Sequence, residues 1–367
     1  MLSRPRLMSL LTLMLLSLPL GAAEGARVFP LWDGKETVAS YAERVKLPAT
    51  KSLDLGGGVT LDLVLIPAGQ FIMGSEEPAK PTITVEDATR LIVLGGVGMA
   101  VLLLVLSIDC YRKRKLSFSL RTLLLLTITT GLCLGGIARR RLALEEAARY
   151  EKEMVAFNVL PSDEKPGHSV TITQPFYMGK YTVTQEQYTA VIGSNPSHFR
   201  GVNLPVETVS WNDATAFCKK LTEKLPNKSQ SIRLPTEAQW EHACRAGTRT
   251  RFYTGDSDID LNAAGWFYAN SGNTTHPVGQ LKANALGLYD MYGNVWQWCQ
   301  DSMRKYSPTT TSFQNPTGPT QESARVLRGG SWYIYPDNCR SASRNYDSPV
   351  DRSHLIGFRI VLPLDIP

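Results

Sequence analysis

The chain has 367 residues, a length that suits one large domain or two smaller ones. Hydrophobic residues make up 43% of the sequence, as in an ordinary globular protein, although they are unevenly distributed. The net charge of +6 owes much to Lys and Arg residues beside apolar segments, and no zinc-finger spacing or other nucleic-acid motif accompanies it. Composition therefore argues against a nucleic-acid partner.

The first 23 residues have the layout of a secretory signal peptide. Arg4 and Arg6 precede a Leu-rich run, and the small residues at 21–23 offer a cleavage site after Ala23. An uncleaved N-terminal anchor is the alternative interpretation.

Residues 24–60 have weak hydrophobic periodicity and are predicted to form an N-terminal segment before the first strands, here called the lead-in. Within it, the three glycines at 56–58 lack the Lys and Ser/Thr of a phosphate-binding loop and therefore predict a turn. Residues 61–75 predict a strand, a turn that begins at Pro67, and a second strand.

Two apolar runs then predict membrane-spanning helices. Residues 91–108 carry no charge and are long enough to span a bilayer, which requires roughly 17–25 residues. Residues 120–138 contain only Arg121, near their start, where a long side chain can reach the interface. Buried core helices are the alternative, but both runs are apolar on every face and lie beside dense Lys and Arg.

The loop at 109–119 contains Arg-Lys-Arg-Lys and is cytoplasmic by the positive-inside rule. The two spans then anchor the chain in a membrane as a hairpin, and everything after Arg141 lies on the periplasmic or extracellular side. Residues 139–161 predict a juxtamembrane helix and linker, because Ala, Leu, Glu and Arg recur there at helical spacing.

Residues 162–364 predict one further domain, because their length suits a single unit. Helices at 210–225 and 236–246 begin with Ser210 and Thr236, and each has a capping partner three residues later. After Arg251, turn residues dominate, and aromatic residues such as Trp266, Trp296, Trp298 and Trp332 predict packing anchors. Further elements are predicted as strands at 168–173 and 176–183 and a helix at 184–192.

Seven separated segments, taken together, resemble the formylglycine-generating enzyme (sulfatase-modifying factor) family. The most specific are PVETVSWNDA at 205–214 and RLPTEAQWEHAC at 233–244, and the others lie at 64–75, 175–188, 284–298, 327–332 and 356–359. The resemblance implies a C-type-lectin-like α+β fold with little regular secondary structure. The predicted membrane hairpin, with its two transmembrane helices, is then an insertion in a surface loop of this fold.

The resemblance also implies an oxidoreductase that uses copper and oxygen to convert a cysteine of a client sulfatase to formylglycine. Relatives with this activity hold Cu(I) between two cysteines after Gly-Gly-Ser, and a soft ion needs both thiolates. Counted from that motif, Ile334 stands at the first position and Cys339 at the second. The missing cysteine argues against copper and against catalysis. The alternative is a catalytically inactive, lectin-like module that binds a peptide or a glycan.

Two catalytic candidates follow from the resemblance, Ser331 and Cys339. Ser331 matches the family's active-site serine, although Gly-Gly-Ser also suits a tight turn. The resemblance equally implies a structural disulfide between Cys339 and Cys244, which an extracytoplasmic location permits. A copper ligand and free thiols remain as alternatives for these cysteines.

Calcium is the other metal that the resemblance implies. Active relatives have a carboxylate where this chain has Gln297, so a calcium site here would be weakened. The five histidines share no helical spacing, which predicts no His-based metal site. For His354, near the C-terminal motif, both the family's cleft and an ordinary surface position remain open. The candidate calcium residues are Asp290, Gly293, Val295 and Gln297, with Asn270 and Ser271 for a second site.

Overall fold

The computed structural model describes residues 28–76, 137–145, 148, 162–227, 229–306, 312–319 and 324–364. The predicted signal peptide at 1–23, the first span at 91–108, the basic loop at 109–119 and all but the last two residues of the second span at 120–138 lie outside these residues. In the part of the chain that is described, no helix is both long and apolar enough to cross a membrane. Residues 137–145 are helical, in the region where the sequence predicts a helix from residue 139 onward.

Besides the helical residues at 137–145, the described residues contain five helices and thirteen strands, which are labelled α1–α5 and β1–β13. Helices α1–α5 span Val38–Val45, Gln185–Ile192, Trp211–Lys224, Glu237–Arg245 and Asp258–Asn262. Strands β1–β6 span Thr50–Gly56, Val59–Ile66, Gly69–Met73, His168–Ile172, Phe176–Gly179 and Gly265–Trp266. Strands β7–β13 span Tyr292–Gly293, Trp296–Ser302, Ser312–Gln314, Arg325–Arg328, Arg344–Asp347, Ile356–Gly357 and Val361–Pro363.

The strands form four small sheets, which agrees with the predicted α+β class. Two sheets have four strands each, in the orders β1-β2-β5-β13 and β11-β10-β8-β12. A third sheet has the order β3-β4-β9, and β6 pairs with β7 alone. Both four-stranded sheets join strands from distant parts of the chain, so the fold depends on long-range contacts rather than on consecutive hairpins.

The helix starts predicted from the sequence are confirmed. Thr184, Ser210 and Thr236 are the N-cap residues of α2, α3 and α4, and each forms a complete capping box. In each box the N-cap oxygen accepts a backbone N–H that the helix leaves unpaired. Local sequence was therefore sufficient to place these three helices.

The described part of the predicted lead-in, residues 28–60, contributes a strand to the first four-stranded sheet. It contains α1 and β1, and β1 pairs with β2 from Thr50 opposite Val64 to Gly56 opposite Val59. The turn predicted at the three glycines joins these strands, and all three have positive φ angles. The periodicity was weak because β1 has one exposed face and buries only Leu55 fully.

The long segment between β3 and β4 leaves and re-enters the domain at one place. Met73 pairs with His168 at the end of the β3–β4 ladder. Just beyond it, the Ser75 N–H donates to the Glu164 carbonyl at 2.9 Å, and the Gly167 N–H donates to the Ser75 carbonyl at 2.8 Å. The chain therefore leaves this sheet after residue 75 and returns to it by residue 167 at adjacent positions, as an insertion in a loop requires.

A buried network of arginine and glutamate residues joins α4 to the second four-stranded sheet. Glu237 and Glu241 of α4 are almost completely buried, as is Arg328 of β10. Arg328 pairs with Glu241, while Arg344 of β11 forms a bidentate pair with Glu237 at 2.6 and 2.9 Å. Arg245 also donates to Glu241, at 2.8 Å. Each carboxylate thus has an arginine partner, which offsets the cost of burying it.

Candidate functional site

The Gly-Gly-Ser turn follows β10 and requires its glycines. Gly329 and Gly330 have φ angles of +96° and +78°, a region that residues with a Cβ rarely adopt. A Cβ on Gly330 would lie 2.4 Å from the Cys339 sulfur, and one on Gly329 would lie 2.8 Å from the Met291 carbonyl oxygen. Ser331 is completely buried, and its hydroxyl has no hydrogen-bond partner among the described residues. This geometry favours the turn interpretation of Ser331 over a nucleophile that contacts substrate.

Cys339 lies beneath this turn and is also completely buried. Burial raises the pKa of its thiol to about 12, although the backbone N–H groups of Gly293 and Ser331 oppose the shift. A metal ion would therefore have to displace this proton inside the core, because metal ligation requires the thiolate. Ile334, at the family's other cysteine position, packs against the core. These residues do not fit a Cu(I) ion held by two thiolates.

The structure corrects the expected disulfide between Cys244 and Cys339, because both are free, buried thiols. The Cys244 sulfur lies 3.9 Å from the hydroxyl oxygen of Ser341, which in turn lies 2.7 Å from the Tyr292 hydroxyl. Cys339 is two residues too early to face Cys244 and instead lies against Gly330. Ser341 therefore occupies the position where a partner cysteine would be needed.

Two side chains of the first proposed calcium site, Gln297 and Asp290, already accept hydrogen bonds from protein groups. The Gln297 side-chain oxygen accepts hydrogen bonds from the Trp240 indole and the Arg359 guanidinium, both at 2.7 Å. The Asp290 carboxylate accepts from the Gly279 N–H at 2.8 Å, and burial raises its pKa to about 6. Arg359 is fully buried here and supplies a fixed positive charge. Calcium fits this arrangement poorly.

The second proposed calcium site is no better suited. The Asn270 side chain closes its own turn, since it accepts from the Phe267 N–H and donates to the Gly265 carbonyl. The Ser271 hydroxyl donates to the Trp332 carbonyl at 2.8 Å. The remaining candidates, Gly293 and Val295, are buried in and after β7. Across the described residues, no group of three or more His, Cys, Asp or Glu side chains is placed to hold a metal. Calcium binding stays a prediction.

The Gly-Gly-Ser turn leads directly into a surface of aromatic rings, which we call the aromatic ledge: Trp332, Tyr333, Tyr335 and Tyr268. Trp332 is buried at its base, and the three tyrosines are 43–65% exposed. Tyr268 contacts Tyr335 and Tyr333 with ring centroids 5.0 and 5.6 Å apart, and Tyr333 contacts Trp332 at 5.2 Å. Mutual contact fixes the rings in place, so they can bind a ligand with little loss of side-chain entropy.

Ring contacts continue from the aromatic ledge to two histidines. Trp332 lies 5.6 Å from the His354 ring, which lies 5.6 Å from the His198 ring. The sequence reasoning found no such cluster, because the two residues are far apart along the chain and belong to no shared element. His354 is exposed to solvent and its ring contacts Trp332, so both positions left open for it stay open.

Comparison with known proteins agrees with this architecture. Residues 136–364 match the family model described as a sulfatase-modifying factor enzyme 1-like domain. A chaperone protein LppX of Paenibacillus barcinonensis is 31% identical over 243 residues, which are 53% of this chain and 81% of that protein. The formylglycine-generating enzyme of Mus musculus is 29% identical over 315 residues, which are 81% of this chain and 74% of that enzyme.

A solved structure supports the fold alone. The Treponema denticola variable protein 1 superposes with a TM-score of 0.59 at 24% identity, and the match covers 86% of this chain and 100% of that one. The family model spans well over half of the sequence, and the capped helices and Gly-Gly-Ser turn lie inside it. The chain therefore belongs to the family of sulfatase-modifying factor enzyme 1-like domains.

Proposed function

We propose that this chain is a member of the family that does not oxidise its ligand and instead binds an extended segment of a client protein on the aromatic ledge. The observation that carries the proposal is the state of Cys339: one thiol, completely buried, with a pKa of about 12 and Ile334 where a second thiol would be required. A soft copper ion has no pair of thiolates to bind.

A polypeptide ligand is favoured by the chemistry of the ledge and by the relatives. Exposed tyrosines next to a buried tryptophan are typical of surfaces that grip peptides, because each ring offers apolar area and a polar edge. The similar proteins are named as a chaperone and as an enzyme that generates formylglycine, which is an amino-acid residue. A client protein, of which a sulfatase is the candidate that the family suggests, is therefore the proposed partner.

Two alternative functions remain, and each has its own supporting argument. The exposed tyrosines would also stack on sugar rings, which supports a glycan ligand. The oxidoreductase activity of the family is the other alternative, and it requires a copper site that includes Cys339.

The test uses the full chain and measures metal binding, catalysis and affinity in parallel. Cu(I) is titrated anaerobically, and a peptide containing Cys-x-Pro-x-Arg is then incubated with the loaded protein and oxygen. We expect neither stoichiometric copper binding nor an aldehyde product by mass spectrometry. Either of these results would overturn the proposal.

Affinity is measured on a peptide library, with Tyr333→Ala as the test variant and Tyr346→Ala as its control. Both tyrosines are about half exposed, but Tyr346 lies on β11 and makes no ring contact with the ledge among the described residues. We expect Tyr333→Ala to weaken binding by about tenfold or more and Tyr346→Ala to leave it unchanged. If both variants weaken binding equally, the ledge is not the binding surface. If the protein binds a glycan array and no peptide, the glycan alternative is favoured.

We also propose that residues 91–108 and 120–138 anchor the chain in a membrane and hold the domain on the extracytoplasmic side. The proposal rests on the apolar runs and on the loop ends that meet beside β3 and β4. We expect the protein to stay in the membrane during extraction at alkaline pH. We also expect protease added from outside the cytoplasm to cleave the domain. Release from membranes by alkaline extraction would refute the anchor.

A further inference from the structure

A pocket of about 610 Å³ opens at the end of the aromatic ledge, between the loop at 196–200 and the segment at 352–354. Its walls carry two arginines, Arg200 and Arg352, and two histidines, His198 and His354. All four side chains are exposed to solvent. We call this the basic pocket.

The basic pocket presents hydrogen-bond donors that the described protein does not use. Arg200 donates one hydrogen bond, to the Asn195 carbonyl at 3.0 Å, and has no acidic partner among the described residues. Arg352 binds Asp213 through Nε and Nη2, which leaves Nη1 free of any described partner. The imidazole rings of His198 and His354 accept and donate no hydrogen bond within the same part of the chain.

The two walls of the pocket are tied together by a strained residue. Thr208 has a φ angle of +59°, where a β-branched residue is a rare outlier. It is held there because its N–H donates to the Ser353 carbonyl at 3.0 Å and its hydroxyl donates to Glu207 at 2.5 Å. Backbone strain of this kind concentrates at binding sites.

Glu207 fixes the opposite wall from below. It is completely buried, and its other carboxylate oxygen accepts from the Phe199 N–H at 2.8 Å. The Glu207 N–H also donates to the Ser197 hydroxyl at 3.1 Å. The loop that carries His198 and Arg200 is therefore rigidly positioned by a buried carboxylate that does not itself face the pocket.

These charges select the kind of ligand. A metal cation would meet two guanidinium groups, whereas an anionic oxygen group would meet their unused donors and the two imidazoles. The acidic groups that contact the pocket residues, Asp213 and Glu207, are already engaged. The pocket therefore suits a carboxylate or another anionic oxygen group.

The ring contacts connect this pocket to the peptide surface. The ring of Trp332, at the base of the ledge, has its centroid 5.2 Å from that of Tyr333 and 5.6 Å from that of His354 in the pocket. We infer that the basic pocket is a specificity subsite that takes the carboxylate of an acidic residue in a segment bound along the aromatic ledge. This inference rests on the proposed peptide-binding function and adds the substrate class to it.

The test compares matched peptides on the full chain by fluorescence anisotropy. One peptide carries Tyr, Pro and two Glu residues, a second has Gln in place of Glu, and each is made with a free or an amidated C-terminus. We expect the Glu peptide to bind about tenfold more tightly than the Gln peptide, whichever C-terminus it has. A preference that follows the free C-terminus instead would overturn the assignment to an acidic side chain.

Arg200→Gln is the test variant, and Arg249→Gln, whose arginine is 76% exposed and lies 3.6 Å from Glu76, is the control. We expect Arg200→Gln to remove the preference for Glu while affinity for the Gln peptide stays constant. Equal affinities for the two peptides in the unsubstituted protein, or the same loss in Arg249→Gln, would overturn the subsite while leaving the ledge intact.

A second measurement does not depend on the ledge. N-acetylglutamate amide is titrated against the protein, and the imidazole NMR signals of His198 and His354 are followed. We expect these two signals to shift and the buried His242 signal to stay constant. If neither histidine signal shifts, the subsite is overturned, whether or not any peptide binds to the ledge. If a sulfated oligosaccharide binds more tightly than the Glu peptide, the choice of a peptide ligand is overturned.

Discussion

The substitution Arg328→Gln should destabilise the domain far more than any change at an exposed arginine. Arg328 is completely buried between the α4 carboxylates, pairs with Glu241, and lies 3.6 Å from Glu237. Its guanidinium also donates to the Ser343 carbonyl and lies 5.3 Å from the Trp240 ring centroid. Burial lowers the pKa of Arg328, but Glu241 and Glu237 raise it to well above its ordinary value, so the side chain is charged.

The magnitude follows from what remains after the charge is removed. Loss of one partner from a buried ion pair costs about 3–5 kcal/mol. Here Glu237 keeps Arg344 and Glu241 keeps Arg245, so neither carboxylate is left without a cation. We therefore expect the lower end of the range, about 3 kcal/mol of unfolding free energy. Arg352→Gln breaks a pair whose arginine is 53% exposed, and should cost about 1 kcal/mol or less.

The assay is urea unfolding of the full chain in detergent, followed by tryptophan fluorescence. Arg328→Gln should move the midpoint to a clearly lower urea concentration with an unchanged slope, while Arg352→Gln should leave the midpoint nearly constant. A double variant, Arg328→Met with Glu241→Met, should lose less than the two single variants added together, because it removes both members of the Arg328–Glu241 pair, although Arg245 then keeps only the Gly74 carbonyl. An equal effect at positions 328 and 352 would refute the reasoning.

Three further predictions address the packing around the candidate site. His242 is fully buried, and burial lowers its pKa to about 4 from an ordinary value of 6.5. The unfolded chain therefore takes up this proton at a higher pH than the folded protein does. Stability should fall by up to about 3 kcal/mol as the pH drops from 6.5 to 4. His242→Gln should remove that part of the slope in unfolding curves measured across this range. Gly330→Ala should lower the melting temperature much more than Gly272→Ala, because both have positive φ but only Gly330 has a sulfur 2.4 Å from the added Cβ. Ser341→Cys should form a disulfide with Cys244 on oxidation, since the side-chain atoms now lie 3.9 Å apart, and a loop of this length should add about 2–4 kcal/mol of stability.

Each of these three has a result that would contradict it. An identical pH slope in His242→Gln would mean that groups other than His242 govern the acid response. Asp301 would not be among them, because burial raises its pKa to about 6, the folded state takes up its proton first, and its contribution therefore stabilises the fold as the pH falls. Equal melting temperatures for the two glycine variants would show that the turn can move away from the thiol beneath it. The sequence has six cysteines, so seven reactive thiols in oxidised, denatured Ser341→Cys, rather than the five left by one disulfide, would show that the geometry does not allow the bond.

The residues that predicted structure correctly did so through local physics. Ser210 and Thr236 predicted the starts of their helices correctly, because a capping box satisfies backbone donors within four residues, independently of the rest of the fold. The turn at the three glycines was equally local, because positive φ angles favour glycine. The strand in the lead-in was not predicted, because β1 gains its stability by pairing with β2 and one exposed face leaves little periodicity.

The sequence by itself determined the family, through ordered motifs, and the absence of a second cysteine after Gly-Gly-Ser. Both are properties of residue identity and order. Only the tertiary structure decided that Ser341 rather than Cys339 faces Cys244, and that His198 and His354 meet beside Trp332. Those facts depend on which distant segments are packed together and on a two-residue offset along a turn. Burial, which sets the pKa of Cys339, likewise exists only once the chain has folded around it.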